Sequence, residues 1–518
     1  MTLPAHRLPI AQRYTPAAPT DCCGTVWTPW GECDKRTRHV ETAGGMTGGT
    51  MTANKRWPEA VLIATVVLVL AGCGGGGSQF ELPPGGEFDA VASERVLLVV
   101  EASNQCGEQG NCSPTPTVTP NPGNAAVACD LGHGNTRGLS IYRLGVGGLL
   151  LDDPRKPGTP DDAELTVGTA DNPRRAIVHP NDASLIYVAT DERIQVFRLA
   201  AGTARCIGQT KSDHEIDPNI SNALDPVDLA IDPTIGNGVL YVAARGASRV
   251  DAYTIAGDGT IPDVPTSCVV GLSSAQFSAV VPLTSDFVVT GGNGTIDVYR
   301  RVDGQFPPPS PALSAIPTPS PSPGLACVGA VFTTQPLSSI GSALVTDLLF
   351  APSAAAPLGQ LFVGDEASLR LFTFPIDTAG VIADTDSSQT SRAGLYQRML
   401  PHERGIDSVF VYASVFDQGR VDAFRLENGL LPQEAFSHTT EDPFTLPVAL
   451  AIDNSTASIL YVAEGGIGRV DGFAIASDGS LGNVPTTSTR QILGPRGDVL
   501  DTFPDDLAII SLPLPHPP

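Results

Sequence analysis

Positive charge is scarce in this chain. Lysine and arginine number 31 against 55 Asp and Glu in 518 residues, for a formal net charge of -24. A surface of that sign repels a phosphate backbone, which argues against nucleic acid as a partner. Its ordinary consequence is solubility. Charge of either sign is thin as well, at 17%. After residue 73 no long amphipathic helical pattern is found, which argues against a helical bundle. The compact catalytic signatures are missing too: no Walker loop, no G-x-S-x-G, no H-E-x-x-H and no C-x-x-C. No cofactor is expected. What the chain has in quantity is glycine (54) and proline (46). That balance points to turn-rich β structure, and the length allows one large repeat domain or several compact ones.

The stretch from Pro226 to Val264 organises the rest. It holds an apolar run (Leu229-Ala230-Ile231), a turn, a second run (Val239 to Ala243), another turn, an alternating run (Arg249 to Ile255) and a Gly-Asp-Gly turn at Gly257 to Gly259. Short apolar runs bounded by Gly, Pro, Asn and Asp read as strands joined by hairpins. The unit recurs from Pro173, from Phe277, from Thr346, in divergent form around Ser408, and from Pro447. A first unit begins at its second strand, with Val96 to Glu101 and Leu139 to Leu144. The last apolar segment, Phe503 to Leu512, looks like a first strand whose later strands are missing. Ring closure accounts for both ends: the C-terminal strand completes the N-terminal blade and leaves no unpaired inner edge. Seven such units predict an all-β, seven-bladed β-propeller over residues 90–512, with insertions at 103–137 and 305–325 and a tail at 513–518.

The pattern P-x-x-L-A-I-D-P … L-Y-V-A … V-D-A-Y-x-I … D-G-x-I resembles the lactonase-type propellers, the phosphogluconolactonase-like proteins and the related YVTN-repeat surface proteins. The resemblance implies fold first, because its motif consists of strand and turn residues. For activity it implies a Pro-Arg-His step on a channel strand and an Asn-Glu after the second strand. Here the matching residues are Pro173-Arg174-Arg175 and Thr190-Asp191. Arg stands in place of His, and a guanidinium stays protonated and cannot act as a general base near neutral pH.

In a propeller the first strand of each blade lines the central channel, whose mouth is the usual binding site. Aligned on their second strands, the units place Arg175, Asp228, Ser278, Asp347, Ala449 and Asp506 in one column, with Arg398 as the member from the sixth unit. Arg175, Asp228, Asp347, Arg398 and Asp506 are the candidate binding residues. Asp228, Asp506 and Asp191 are the carboxylates to consider for catalysis. The competing expectation is that the arginines neutralise the Asp ring. His179 is expected to serve a turn. A second column, Asp251, Asp297, Asp422 and Asp471, is expected to point away from the blade core. One Asp per blade does not make a calcium site, and no metal is expected.

Ahead of the repeats, Met51 opens a stretch with Lys55 and Arg56, an apolar run from Ala60 to Leu70 too short for a comfortable membrane span, and Leu70-Ala71-Gly72-Cys73. That tetrapeptide resembles the bacterial lipobox, in which the cysteine becomes the lipidated first residue. The alternative is an ordinary signal peptide or a buried apolar strand. The expectation is a signal peptide over 51–73 with lipidation at Cys73 and translation from Met51 or Met46. Residues 1–50 would then be a gene-model extension or an unusual leader, and 74–89 a flexible tether. Gly74 after the cysteine implies the outer membrane. Six further cysteines remain: Cys106, Cys112, Cys129, Cys206, Cys268 and Cys327. An even number in an exported chain suggests disulfides. The first three share one insertion and the other three follow units two, three and four at comparable places, so one bridge between the groups, or free thiols, is required. Taken together, the sequence favours a cell-envelope lipoprotein whose propeller binds a small polar ligand or an envelope protein. The rival is a hydrolase of a sugar lactone.

Overall fold

The computed structural model describes residues 93–513 apart from inter-strand segments, the longest being 104–137, 151–164, 212–225, 271–278, 308–326, 336–343 and 490–501. The expected leader, signal peptide, Cys73 and tether, most of both insertions, and Ser278 lie outside the described residues. The regular structure is strand, with a short 3-10 turn at Phe416–Gln418.

Seven four-stranded antiparallel sheets form the blades of a propeller. The inner strands, blades one to seven, are Thr502–Pro513, Pro173–His179, Pro226–Asp232, Ala279–Thr284, Val345–Ala351, Tyr396–Glu403 and Pro447–Asp453. Each lies beside the next, and blade seven returns to blade one. The C-terminal strand pairs antiparallel with Ser93–Ser103, from Ser93 against Pro513 to Ser103 against Thr502. Blade one is therefore built from both ends of the propeller, as the interrupted first and last repeats predict.

The strands are short and apolar on both faces because each blade packs against two neighbours. Seven apolar clusters fill the seven gaps. Leu185, Tyr187, Leu229, Leu240 and Tyr253 join blades two and three, and Leu97, Val99, Ala451, Tyr461 and Leu507 join blades seven and one. Fully burying a side chain of this size contributes about 1.5–3 kcal/mol. The tyrosine that recurs on the second strands supplies a polar tie as well. The hydroxyls of Tyr187, Tyr241 and Tyr412 donate to Gly259 O, Gly304 O and Gly479 O of the next blade at 2.9, 2.7 and 2.9 Å. Tyr461 does the same to Gly148 O. These turn glycines have φ of +84, +76, +85 and +76, a region that residues with a Cβ adopt only at a cost.

Two expectations are corrected. Asp251, Asp297, Asp422 and Asp471 do not point out of the packed interior; they are 0 to 4% exposed. Because both faces of a blade are covered, alternation along the strand moves a side chain from one gap to the next and not to solvent. Three of these aspartates are held by the arginine two residues earlier on the same face: Arg249–Asp251 at 2.8 Å, Arg420–Asp422 at 2.6 Å and Arg469–Asp471 at 2.7 Å. The second correction concerns the fourth blade. Ala279 pairs with Gly291, as Asp228 pairs with Ala243, so Ala279 and not Ser278 occupies the channel column.

A disulfide joins Cys268, on the outer strand Ser267–Val270 of blade three, to Cys327 ahead of the outer strand Val331–Gln335 of blade four. Cys206 is disulfide-bonded too. His179 closes its turn: Nδ1 accepts from the amides of Asn181 and Asp182 at 3.2 and 3.1 Å, while Nε2 lies 2.8 Å from Asn237 O.

Candidate functional site: two tiers at the channel mouth

Six of the seven inner strands reach the channel mouth with a defect. Register shifts fall between Pro173 and Arg175, Pro226 and Asp228, Val345 and Asp347, Tyr396 and Arg398, Pro447 and Ala449, and between Val100 and Glu101 opposite Asp506 and Pro504. A bulge inserts one unpaired residue and bends the strand. The result is two tiers of side chains. The lower tier is the column of Arg175, Asp228, Ala279, Asp347, Arg398, Ala449 and Asp506. The upper tier is the bulged residues: Arg174, Val227, Thr346, Gln397, Val448 and Asp505.

The structure brings all five of the charged column residues together. Each carboxylate of the lower tier reaches the next blade: Asp506 Oδ2 accepts from Ala176 N at 3.0 Å, Asp228 Oδ2 from Val280 N at 3.0 Å, and Asp347 Oδ2 from Met399 N at 2.7 Å. The other oxygens face arginine. Arg398 donates to Asp347 Oδ1 at 2.8 Å and lies 3.4 Å from Asp228 Oδ1, and Arg175 Nη1 lies 3.8 Å from Asp506 Oδ1. Arg175 also donates to Val227 O at 2.9 Å and Asp505 O at 3.2 Å. Three aspartates on alternate blades thus staple blade one to two, three to four and five to six, and two arginines compensate them. Burial pushes the Asp347 carboxyl up, against the pull of Arg398. Arg398 stays firmly protonated, because Asp347 and Asp228 outweigh its burial. Burial and the repulsion of Arg398 lower Arg175, against Asp506 and Asp228.

Above this ring lies a pocket of ≈ 350 Å³. Of the five column residues, only Arg175 lines it; the rest of its polar lining is Arg174, Thr346, Gln397, Asp505, Arg245 and Glu366. Arg245 and Glu366 follow the second strands of blades three and five, and Asp191 holds the same place in blade two. Asp191 accepts from Arg174 Nε at 2.7 Å, and Arg174 Nη1 lies 3.9 Å from Asp505 Oδ2. Asp505 keeps 28% of its side chain exposed. Burial in the pocket floor nonetheless pushes it up to about 6, against Arg174 and Arg175 and with help from Asp506 and Asp191. A carboxyl there changes charge close to neutrality, beside the guanidinium groups of Arg174 and Arg175.

Sequence reasoning reached the lower tier and Asp191 and missed Arg174, Arg245, Glu366 and Asp505. Two of the missed residues sit one position before a residue that was found. The bulge puts both on the channel, and no periodicity reveals it. Arg245 and Glu366 had a signal: they occupy the position of Asp191 in their own units.

No protein-family model matches the chain, and no curated protein matches it. Solved structures do. A periplasmic gluconolactonase of Pseudomonas aeruginosa is 15% identical with a TM-score of 0.52, over 81% of this chain and 100% of that one. A Bacteroides fragilis chain given the provisional name 6-phosphogluconolactonase is 14% identical with a TM-score of 0.51, over 82% of this chain and 100% of its own. At such identities the likeness is one of fold: the chain shares the seven-bladed propeller of lactonase-type proteins.

Proposed function

We propose that the chain is a propeller whose channel mouth binds a small polar ligand of the sugar-acid or sugar-lactone type. The observation that carries the reading is the ≈ 350 Å³ pocket in which Arg174, Arg175 and Arg245 face Asp505, Glu366, Thr346 and Gln397. Arginines suit a carboxylate or a ring carbonyl. The acidic, amide and hydroxyl groups suit sugar hydroxyls. The volume is that of a small-molecule site. The solved propellers of the same fold, one of them a gluconolactonase, supply the first ligands to try.

A second reading, hydrolysis of the lactone, is favoured by Asp505. General-base efficiency peaks when the pKa lies near the working pH, and this carboxyl is pushed up to about 6. In that reading Asp505 takes a proton from a water as its oxygen bonds to the lactone carbonyl carbon. An arginine holds the carbonyl oxygen, the ring ester bond opens, and the released alkoxide takes up a proton, leaving the hydroxy acid.

The test is calorimetric titration of gluconate and glucono-δ-lactone into the purified protein, with acid release followed at constant pH. Saturable binding with acid release at the spontaneous rate supports the binding reading. Release that scales with protein concentration and rises with pH through about 6 supports hydrolysis. Neither binding nor turnover by folded protein would remove both.

We propose further that the propeller is exported and tethered to the outer membrane through Cys73. This rests on the basic, apolar and Leu70-Ala71-Gly72-Cys73 pattern of residues 51–73. Labelled fatty acid incorporated into the wild type and not into Cys73→Ser supports it, and equal labelling of both contradicts it.

A further inference from the structure

A second pocket, of ≈ 180 Å³, lies between blades six and seven and shares no lining residue with the channel-mouth pocket. Its charged lining is Arg420 of blade six, Asp442 of the connection, and Glu464, Arg469 and Asp471 of blade seven. Each arginine is paired with a carboxylate, although Arg420 Nη1 and Arg469 Nε make no hydrogen bond. Arg420 donates twice to Asp422, at 2.6 and 3.0 Å, with Glu441 3.6 Å away, and Arg469 holds Asp471 Oδ2 at 2.7 Å. Glu464 is different. It is 5% exposed, and its Oε2 has no hydrogen-bond partner; neither has Oδ1 of Asp471, which is 1% exposed. A buried polar atom without a partner is costly, and a charged one more so, so two such carboxylate oxygens on one pocket call for a donor. Thr439, Thr440 and Thr445 supply hydroxyls to the same lining, and Val462, Phe473, Val484 and Pro485 supply apolar surface.

We propose that this inter-blade pocket binds a small alkylammonium, its N–H groups donating to Glu464 and Asp471 and its alkyl chain lying on the apolar wall. A negatively charged ligand would meet the carboxylates, and each arginine already has one to answer. A bare metal ion lacks its ligand set: among the described residues no group of three or more His, Cys, Asp or Glu is placed to hold one. The volume suits a few carbon atoms beside the ammonium. Glu464 supports the assignment. Burial pushes it up to about 8; Asp471 and Asp442 add to this, and Arg469 and the Thr445 hydroxyl oppose it. Near pH 7 it therefore carries a proton that an arriving ammonium displaces.

The experiment titrates n-butylammonium, with tetramethylammonium as a probe without N–H groups, into the full chain at pH 7 in two buffers of different ionisation enthalpy. The expected result is one-to-one binding of n-butylammonium with release of nearly one proton, and at least tenfold weaker binding of tetramethylammonium. Glu464→Gln, with unchanged circular dichroism, is expected to weaken n-butylammonium at least tenfold and abolish the proton release. Because that variant can fail to fold, the wild type is also followed by carboxyl NMR. The Glu464 titration is expected near 8 and to fall by about one unit or more when the probe is added. Absence of binding at high probe concentration, equal binding of the two probes, or a Glu464 titration that the probe leaves unmoved would each overturn the proposal.

Discussion

Replacing Arg398 by Met would remove the cation that two buried aspartates share and keep much of the side-chain volume. Arg398 lies 2.8 Å from Asp347 and 3.4 Å from Asp228, whose side chains are only 4 and 10% exposed. Leaving a buried charge without its partner costs about 3–5 kcal/mol. The lower part of that range applies, because Met399 N and Val280 N still donate to these carboxylates at 2.7 and 3.0 Å. The sign with pH follows from Asp347. Burial already pushes it up and Arg398 opposes this, so the variant raises its folded pKa further. A carboxyl whose folded pKa is raised contributes stability that is complete below its unfolded pKa and is lost as pH rises through the folded one. The deficit of Arg398→Met is therefore largest at pH 7. It shrinks toward pH 5 by up to about 1.4 kcal/mol per pH unit for each proton that the variant binds and the wild type does not. Urea denaturation of both proteins at the two pH values gives the difference of differences. A deficit under about 1 kcal/mol at pH 7, or one that grows as pH falls, would refute the view that the ring is a self-compensated staple.

Three further outcomes follow from the blade contacts. Gly479→Ala would place a Cβ 2.3 Å from Phe410 Cε1 at a φ of +85; a loss of about 2–4 kcal/mol is expected from backbone strain and overpacking, read by thermal or urea unfolding. Tyr412→Phe removes the 2.9 Å bond to Gly479 O and should cost about 1–2 kcal/mol; the double variant should lose less than the sum, since both changes act on one contact. Cys268→Ser with Cys327→Ser opens a link across 59 residues of sequence and should cost about 2–4 kcal/mol, with the same loss in the wild type on reduction of that bond.

The blade count and the ring closure were legible because the repeat is written in its strands. Val96 to Glu101 lacks a preceding first strand, and Phe503 to Leu512 lacks following ones, which leaves one pairing to make. The lower tier was legible for the same reason, since Asp228, Asp347 and Asp506 recur at one place in the repeat. Its meaning was not, because a column in a sequence does not say that Asp506 caps Ala176 N of the next blade. Asp251 and Asp471 were assigned to the outside from alternation alone. That rule assumes one wet face, and blades stacked in a ring have none. The pocket itself turned on the bulges. They bring Arg174 and Asp505 to the channel beside Arg175 and Asp506, and an extra residue in a strand carries no compositional mark. Cys268 and Cys327 showed the opposite case: the sequence set them at comparable places in successive units and left the pairing open.

Asp505 and Asp506 are neighbours on one strand, one bulged into the pocket and the other turned into the ring, so comparing them tests the account most directly. The measurement is the affinity for gluconate, with lactone turnover, of Asp505→Asn and Asp506→Asn beside the wild type, each with its melting temperature. The account predicts that Asp505→Asn keeps the melting temperature and changes affinity or turnover severalfold, with the pH dependence near 6 gone. It predicts that Asp506→Asn melts earlier and, while folded, binds as the wild type does. A ligand lost with Asp506 and indifferent to Asp505 would contradict it and place the working site in the lower ring.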